Sequence, residues 1–388
     1  MTTTSRPRTR HRRRAAAVLA CATLLTAPAI GAAAAPPAAP AREGVDRRAA
    51  QEALDALTAT GAQAVQARIT DGRRQAVLTS GSAHHDRRTP VPRDGRFRAG
   101  SITKTFVATV VLQLVAEGRV GLEDPVSRHL PGLLPDGDRI TVRMLLQHTS
   151  GLANYTELIP SDPSAVPTPG AYEQVRYQHH EARDLIALAT ARPLDFEPGT
   201  AWNYSNTGYL VLGELVEALT GEPYARAVEE RVLQPLRLRS TSLPGDRVSL
   251  PPPHAHGYAR IDGQVVNVTR LNPSVAGAAG ELVSTTADLD RFLDALLDGE
   301  LLPPELLAEM KRTTQVSPAY GLGLTVAPLQ CGTSVTTVYG HDGGIPGYLS
   351  TALSTEDTDR RLVVSLTTAP DPGEFRGQVE LIAGAFCD

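Results

Sequence analysis

The sequence predicts a mixed α/β fold, in which both ends of the chain build an antiparallel sheet flanked by helices and a mainly helical lobe is inserted between them. Two observations support this prediction. Patterns typical of strands occur at residues 64–80 and return only after Tyr320. Residues 121–280 are rich in proline and show helical periodicity in patches. We therefore expect one domain with an α/β lobe at about 45–120 and 281–388 and a helical lobe at about 121–280.

The individual elements follow from local patterns. An amphipathic helix is expected from Glu43 to Thr60, and the turn signal Asp71-Gly72 predicts a hairpin within residues 64–80. Ser101 to Glu117 is strongly apolar and is followed by Gly118, which predicts a buried helix with a glycine cap. The further expected elements are helices at Val142–Gln147, Ala182–Ala191, Tyr209–Leu219, Ala287–Leu297 and Glu374–Phe386, and strands at Gly321–Val326, Ser334–Gly340, Tyr348–Ser354 and Arg361–Thr368.

The N-terminus has the composition of an export signal. Six arginines occur before Ala15, an apolar run extends from Ala15 to Ile30, and small residues follow. This order predicts a secretory signal peptide at residues 1–35, exported by the Sec or the twin-arginine route, with a lipoprotein signal at Cys21 as the weaker alternative. The formal net charge of −4 becomes more negative without these arginines, so nucleic acid is not an expected partner. Residues 36–388 are expected to form a secreted monomer without a stable membrane anchor.

Lys104 and Lys311 are the only lysines in a chain that contains 38 lysine and arginine residues. Lys104 follows Ser101 by three residues at the start of the predicted buried helix, and this spacing places both side chains on one helix face. A buried lysine has a lowered pKa and can withdraw the proton of a serine hydroxyl, which makes that hydroxyl a nucleophile. A serine that merely caps the helix beside a chance lysine is the alternative interpretation.

Two more short motifs contain groups suited to the same chemistry. Tyr204 and Asn206 form a Tyr-x-Asn motif, which supplies a phenol for proton transfer and an amide that can bind a substrate carbonyl. His341-Asp342-Gly343-Gly344 lies among the predicted C-terminal strands, where its glycines permit a close backbone approach. Each motif has a structural alternative, which is a polar turn for the first and a glycine-rich hairpin for the second.

The order and spacing of these three motifs resemble those of the penicillin-recognising serine hydrolases, which include D-alanyl-D-alanine carboxypeptidases, class C β-lactamases and related esterases. The likeness extends from about Arg88 to Phe386 and is closest to the secreted D-alanyl-D-alanine carboxypeptidases. It implies a β-lactamase/transpeptidase-like fold. Other stretches that resemble the family are Phe97–Phe106, Leu145–Leu152, Pro198-Gly199, Gly280–Thr285 and Tyr320–Leu324.

The resemblance implies a role for each motif residue. Ser101 is expected to form the acyl-enzyme, Lys104 to accept its proton, and Tyr204 to relay protons to the leaving group and from water. Asn206 and the motif His341-Asp342-Gly343-Gly344 are expected to bind the substrate, with His341 in the place of the lysine that other family members have in a Lys-Thr-Gly element. The backbone N–H groups of Ser101 and Gly344 are expected to form the oxyanion hole. The implied substrate is a small peptide, ester or β-lactam, and the implied chemistry needs no metal or organic cofactor.

Two positions depart from the family pattern. Where the carboxypeptidases have threonines that hold a terminal D-Ala carboxylate, this chain has Asp342 and Gly344. An ionised Asp342 about 5 Å from such a carboxylate would cost roughly 3 kcal/mol at an effective dielectric constant near 20. The leading expectation is a D-alanyl-D-alanine carboxypeptidase-type peptidase. The alternative is an esterase or D-amino-acid amidase, whose substrate has no carboxylate there or has a free amine facing Asp342; a second alternative is a non-catalytic penicillin-binding sensor acylated at Ser101.

The chain keeps two cysteines, Cys331 and Cys387, once the signal peptide is removed. An even pair in an oxidising compartment predicts a disulfide, whereas two buried free thiols are the alternative. The resemblance favours the disulfide, because the secreted carboxypeptidases have paired cysteines at corresponding places.

Other arrangements of chemically active residues are less favoured. Ser101, His341 and Asp342 do not form the expected geometry of a Ser-His-Asp triad, because adjacent side chains on a strand point to opposite faces. Histidine pairs could suggest a metal site, but each pair lies in a polar loop and is expected to face solvent; the pairs are His84-His85, His179-His180 and His254-x-His256.

Overall fold

The computed structural model describes residues 44–159, 163, 166–371, 373 and 375–387. The signal peptide expected at residues 1–35 lies outside the described residues. Within these ranges, no helix is long and apolar enough to cross a membrane.

A six-stranded antiparallel sheet, with strand order β2-β1-β10-β9-β8-β7, forms the centre of the molecule. The first two strands come from the N-terminal part of the chain and the other four from its C-terminal part, as the sequence predicts. The strands of this sheet are β1 (Ala62–Asp71), β2 (Arg74–Gly81), β7 (Thr325–Cys331), β8 (Ser334–Ile345), β9 (Tyr348–Thr355) and β10 (Arg360–Thr368). Two small ladders lie outside it, formed by β3 (Phe97–Arg98) with β6 (Val283–Ser284) and by β4 (Tyr258–Ile261) with β5 (Gln264–Asn267).

Helices cover both faces of the sheet. The helices are α1 (Arg47–Thr60), α2 (Thr103–Ala116), α3 (Val126–His129), α4 (Val142–Leu146), α5 (Pro169–Val175), α6 (Ala182–Thr190), α7 (Asn206–Thr220), α8 (Tyr224–Val228), α9 (Thr286–Leu297), α10 (Pro304–Lys311) and α11 (Gln378–Phe386). Helices α1 and α11 pack against one face, where Leu54 and Phe386 join Val65 of the sheet in one apolar cluster. Helices α2 and α9 cover the other face, and their Phe106 and Phe292 rings stack 3.7 Å apart.

Strand β10 contributes side chains to both layers, because successive side chains of a strand point to opposite faces. Leu362 and Val364 belong to the apolar cluster under α1 and α11. Val363, which lies between them, joins the cluster under α2 and α9. A buried ion pair fixes α9 to this second face, because the Arg361 Nε donates to Asp290 Oδ1 over 2.9 Å.

The register of the sheet leaves part of β8 open on one side. Strand β7 pairs with β8 only from Ser334 to Gly340, whereas β9 pairs with β8 as far as Ile345. Among the strands that the structure describes, residues 341–345 therefore have a ladder partner on one side only. The third sequence motif lies in this half-open segment.

The start of β7 and the hairpin of β4 and β5 are among the differences from the sequence-based expectation. The strand expected at Gly321–Val326 begins only at Thr325, because Leu322 N donates to Met310 O and Gly323 N donates to Leu146 O instead of joining the sheet. The hairpin of β4 and β5 was not expected in the helical region, although its turn residues Asp262-Gly263 give the same signal as Asp71-Gly72.

A disulfide joins Cys331, the last residue of β7, to Cys387, which follows α11. The two cysteines are 56 residues apart, so the bond closes a long loop and holds the C-terminal helix to the edge of the sheet. The disulfide expected from the sequence is present.

We expect replacement of both Cys331 and Cys387 by serine to lower the free energy of unfolding by about 4 kcal/mol, because the open loop restores conformational entropy to the unfolded chain. Equilibrium unfolding in urea measures the change. Wild-type protein in a reducing agent is the matched control and should lose a similar amount. Equal stability of the variant and the oxidised wild type would contradict the expectation.

Candidate active site

Ser101 lies in a short 3-10 turn, Gly100–Ile102, at the entrance to α2. Gly100 has φ +53°, and a Cβ atom there would lie 2.7 Å from the backbone nitrogen of Gly344. Only glycine accommodates this approach. The contact brings the backbone of Gly344 in β8 against the residue that precedes Ser101, so the two proposed oxyanion-hole residues are adjacent.

Lys104 is fully buried in the first turn of α2. Its Nζ lies 3.0 Å from Ser101 Oγ, 2.7 Å from Asn206 Oδ1 and 2.6 Å from Ala279 O. Burial lowers the pKa of Lys104 well below its usual range. A neutral amine has two N–H donors, which suit the two carbonyl oxygens, and one lone pair, which suits the Ser101 hydroxyl proton.

Tyr204 contacts the same serine. Its phenol forms a side-chain hydrogen bond with Ser101, and Lys104 Nζ lies 4.9 Å from the centre of its ring. Burial raises the pKa of Tyr204, and the nearby Asp342 carboxylate raises it further. The phenol therefore keeps its proton and can donate it to a leaving group.

Asn206 is the first residue of α7, and both polar atoms of its side chain form hydrogen bonds. Its Oδ1 accepts from Lys104, and its Nδ2 donates to Asn154 Oδ1 over 3.2 Å. Asn154 also accepts from the backbone N–H of Asn206. Asn154 was not expected from the sequence as part of the site, and no local signal marks it.

His341 is neutral. Burial lowers its pKa to about 3, with a smaller effect from Lys104. Its Nδ1 lies 2.5 Å from the carbonyl oxygen of Asp342 and so bears the proton, while its Nε2 lies 2.8 Å from the Tyr320 hydroxyl and accepts from it. The side chain expected to replace a family lysine therefore adds no positive charge to the site.

Asp342 and Gly343 complete the third motif. A Cβ atom on Gly343 would lie 1.9 Å from Ala99 O, so only glycine fits against the turn before Ser101. The half-buried Asp342 accepts a hydrogen bond from Thr351 Oγ1 over 2.6 Å. Burial raises the pKa of Asp342. Within the described part of the chain, Asp342 forms no ion pair.

His148 is a further buried residue beside the site that sequence reasoning did not single out. It has φ +62°, and its ring centre lies 4.2 Å from that of Tyr204. Its Nδ1 accepts from the backbone N–H of Ser205 over 3.2 Å. The imidazole thus fixes the backbone and ring beside the candidate proton donor. Its only sequence signal is its place in the family-like stretch Leu145–Leu152.

The arrangement suits nucleophilic catalysis at Ser101. The side chains of Ser101, Lys104, Tyr204 and Asn206 meet where α2 and α7 begin, and β8 supplies His341 and the rest of the third motif. Among the residues that the structure describes, no group of three or more histidine, cysteine or acidic side chains is placed to hold a metal ion.

Comparison with known proteins identifies the family of this chain. A family profile described as Beta-lactamase matches residues 47–385. The chain belongs to the beta-lactamase family. It is 31% identical over 283 residues to esterase EstB of Burkholderia gladioli, a match that covers 64% of this chain and 71% of EstB. The matches to two penicillin-binding relatives span 57% of their length.

Solved structures of the family are also similar over most of the chain. A D-stereospecific amidohydrolase from Streptomyces sp. has a TM-score of 0.79 and 43% identity, with 88% of this chain and 99% of that one covered. A D-amino acid amidase from Ochrobactrum anthropi SV3 has a TM-score of 0.73 and 29% identity, with 87% and 96% covered. The fold expected from the sequence is confirmed, and the chain is a serine hydrolase of the beta-lactamase and penicillin-binding protein family.

We expect Lys104→Arg to lower kcat/KM by about 10³-fold, because a guanidinium stays protonated and cannot accept the Ser101 proton. In the wild type, activity should fall as the pH drops through the lowered pKa of Lys104, since the amine then becomes charged. Ester hydrolysis followed across a pH series measures both effects.

Lys311→Arg is the matched control. Lys311 forms a surface ion pair with Glu356 over 2.7 Å, so this variant should keep wild-type activity. A Lys104→Arg enzyme as active as Lys311→Arg would rule out Lys104 as the proton acceptor.

Proposed function

We propose that the chain is a D-stereospecific amidohydrolase and esterase, which cleaves D-amino-acid amides and related esters whose leaving group has no carboxylate. The observation that supports this proposal is the half-buried carboxylate of Asp342, which lies in the strand motif packed against the Ser101 turn and raises the pKa of the candidate proton donor Tyr204. The similarity to the D-stereospecific amidohydrolase and the D-amino acid amidase supports the same substrate class.

The reaction follows from the contacts of Ser101. Lys104 takes the hydroxyl proton as Ser101 Oγ attacks the substrate carbonyl, and the backbone N–H groups of Ser101 and Gly344 stabilise the oxyanion. Tyr204 then protonates the leaving amine or alcohol as its bond to the acyl carbon breaks, and the proton held by Lys104 replaces the one that Tyr204 gave. Water then attacks the acyl-enzyme, its proton passes through the same pair to Ser101 Oγ, and the serine is released.

The charge of Asp342 is expected to act on the leaving group of the substrate. Asp342 lies close enough to Tyr204 to affect the pKa of the phenol, and Tyr204 is the group that protonates the leaving atom. A neutral leaving group such as ammonia or an alcohol meets no repulsion there, and a leaving group with an amine is attracted. A carboxylate is repelled, because neither Asp342 nor the neutral His341 offers it a positive charge.

A D-alanyl-D-alanine carboxypeptidase is the competing proposal, because the resemblance in the motifs extends to such enzymes and a putative carboxypeptidase is among the relatives. Its substrate would place a carboxylate on the leaving group. The side chains at 342 and 344 hold no hydroxyl for it. We therefore favour the amidohydrolase.

We also propose that the enzyme acts outside the cell, after export by the signal peptide at residues 1–35. The disulfide between Cys331 and Cys387 supports this location, since disulfides persist in oxidising compartments. N-terminal sequencing of protein recovered from the culture medium tests the proposal. An N-terminus that retains residues 1–35 would contradict it.

Two substrates that share a scissile bond test the role of Asp342. D-Alanyl-D-alanine and D-alanine isopropylamide differ in that a carboxylate of the first is a methyl group in the second. The wild type should prefer the isopropylamide, and Asp342→Asn should reduce this preference by about 10-fold or more, because one repulsive charge is gone. Steady-state kcat/KM for both substrates measures the ratio.

The serine variant provides the control. Ser101→Ala should abolish hydrolysis of both substrates, which shows that the measured rates belong to this site. A wild type that prefers D-alanyl-D-alanine would overturn the amidohydrolase proposal in favour of the carboxypeptidase.

A further inference from the structure

A cavity of about 420 Å³ lies away from the side chains of the three motifs. Among the described residues that line it, none is acidic, and four have guanidinium or imidazole groups. The lining residues are Arg176, Tyr177, Ser249, Leu250, His254, His256, Asn267, Thr269 and Arg270. Such a set of donors is suited to an oxyanion.

The guanidinium groups of two arginines lie over the ring of Tyr177. The guanidinium carbons of Arg176 and Arg270 lie 4.6 Å and 5.9 Å from the centre of the ring. Arg176 is anchored by Glu173 and by the carbonyl of Asn267. Arg270, in contrast, is exposed and forms no ion pair with the described residues. Its charge is therefore available to a ligand.

A third arginine lies behind the cavity wall. Arg98 is 1% exposed and donates to three backbone carbonyls, those of Val248, Thr269 and Leu271. No carboxylate in the described part of the chain neutralises it. A buried charge in low dielectric acts over a longer range than an exposed one, so Arg98 adds to the positive potential of the cavity.

The histidines of the cavity correct a sequence-based expectation. His254 and His256 were expected to face solvent, but both are half-buried, and their rings lie 4.9 Å apart. His256 also lies 4.3 Å from His84, a histidine of another expected pair. His254 Nδ1 donates to Pro251 O, which leaves its Nε2 available.

The cavity wall continues towards the candidate active site. The N–H of Asn272 donates to Arg176 O, and Tyr155 OH donates to Val275 O a few residues later. The same segment ends near Ala279, whose carbonyl accepts from Lys104. One stretch of backbone therefore connects the cavity to the amine of Lys104.

We propose that this cavity binds an oxyanion, such as a phosphate or a carboxylate, and that Arg270 is its principal charged contact. The anion comes either from a free ion or from an acidic group on the acyl side of a substrate. The site goes beyond the proposed function, and the test with a free anion does not depend on that function, since this binding is measured without turnover.

Isothermal titration calorimetry with inorganic phosphate tests the free anion. Arg270→Gln should weaken binding by at least about 10-fold, because a charge-assisted hydrogen bond is lost. Arg73→Gln, which removes the same charge from the distant β1–β2 turn, should bind as the wild type does. Imidazole NMR signals of His254 and His256 should shift during the titration and so locate the ion.

A second experiment tests whether the bound anion is an acidic group of the substrate. The KM of an N-succinyl D-alanine ester should rise in Arg270→Gln, whereas that of the uncharged N-butyryl ester should not. Phosphate binding identifies a free anion, and a rise in KM for the succinyl ester alone identifies a substrate group. The proposal is overturned if phosphate neither binds nor shifts the imidazole signals and Arg270→Gln changes the KM of both esters equally. It is also overturned if Arg73→Gln weakens phosphate binding as much as Arg270→Gln does.

Discussion

The burial of one lysine amine connects the separate parts of this enzyme. Lys104 Nζ is held by Ser101 from the turn before its own helix, by Asn206 from α7 and by the carbonyl of Ala279 before β6. Each contact comes from a different element of the chain, and full burial lowers the pKa of the amine, which favours its neutral form. Loss of any one of these contacts would change the position of the candidate base. It would also change the set of hydrogen bonds that leaves the lone pair of the amine for the Ser101 proton.

The second constraint is a backbone contact rather than a side-chain one. Strand β8 approaches the turn before Ser101 so closely that Gly100 and Gly343 tolerate no Cβ atom. This contact is possible because β7 pairs with β8 only as far as Gly340. The sheet register therefore sets where the backbone of β8 meets the turn that holds Ser101, and the glycines are required for a steric reason.

The sequence predicted the features that depend on local spacing or on short motifs. The Ser101 and Lys104 pair follows from helical geometry, the origin of the sheet from both chain ends follows from strand patterns, and the cysteine pair follows from their even number. Contacts between distant residues that have no recognisable pattern of their own could not be predicted. Asn154 supports Asn206 from another loop, and His84 meets His256 from a distant part of the sequence.

The charge distribution of the site links the proposed chemistry to the proposed substrate selectivity. A lysine at position 341 would place a cation near Lys104 and would offer a carboxylate a partner, whereas the neutral His341 does neither. Of the motif side chains, Asp342 is then the one that can carry a charge besides Lys104, and its charge is negative. Burial lowers the pKa of Lys104 and so favours its neutral form, which can accept the Ser101 proton and does not attract a carboxylate on the leaving group. We therefore propose that the electrostatic arrangement that activates Ser101 also disfavours carboxypeptidase substrates.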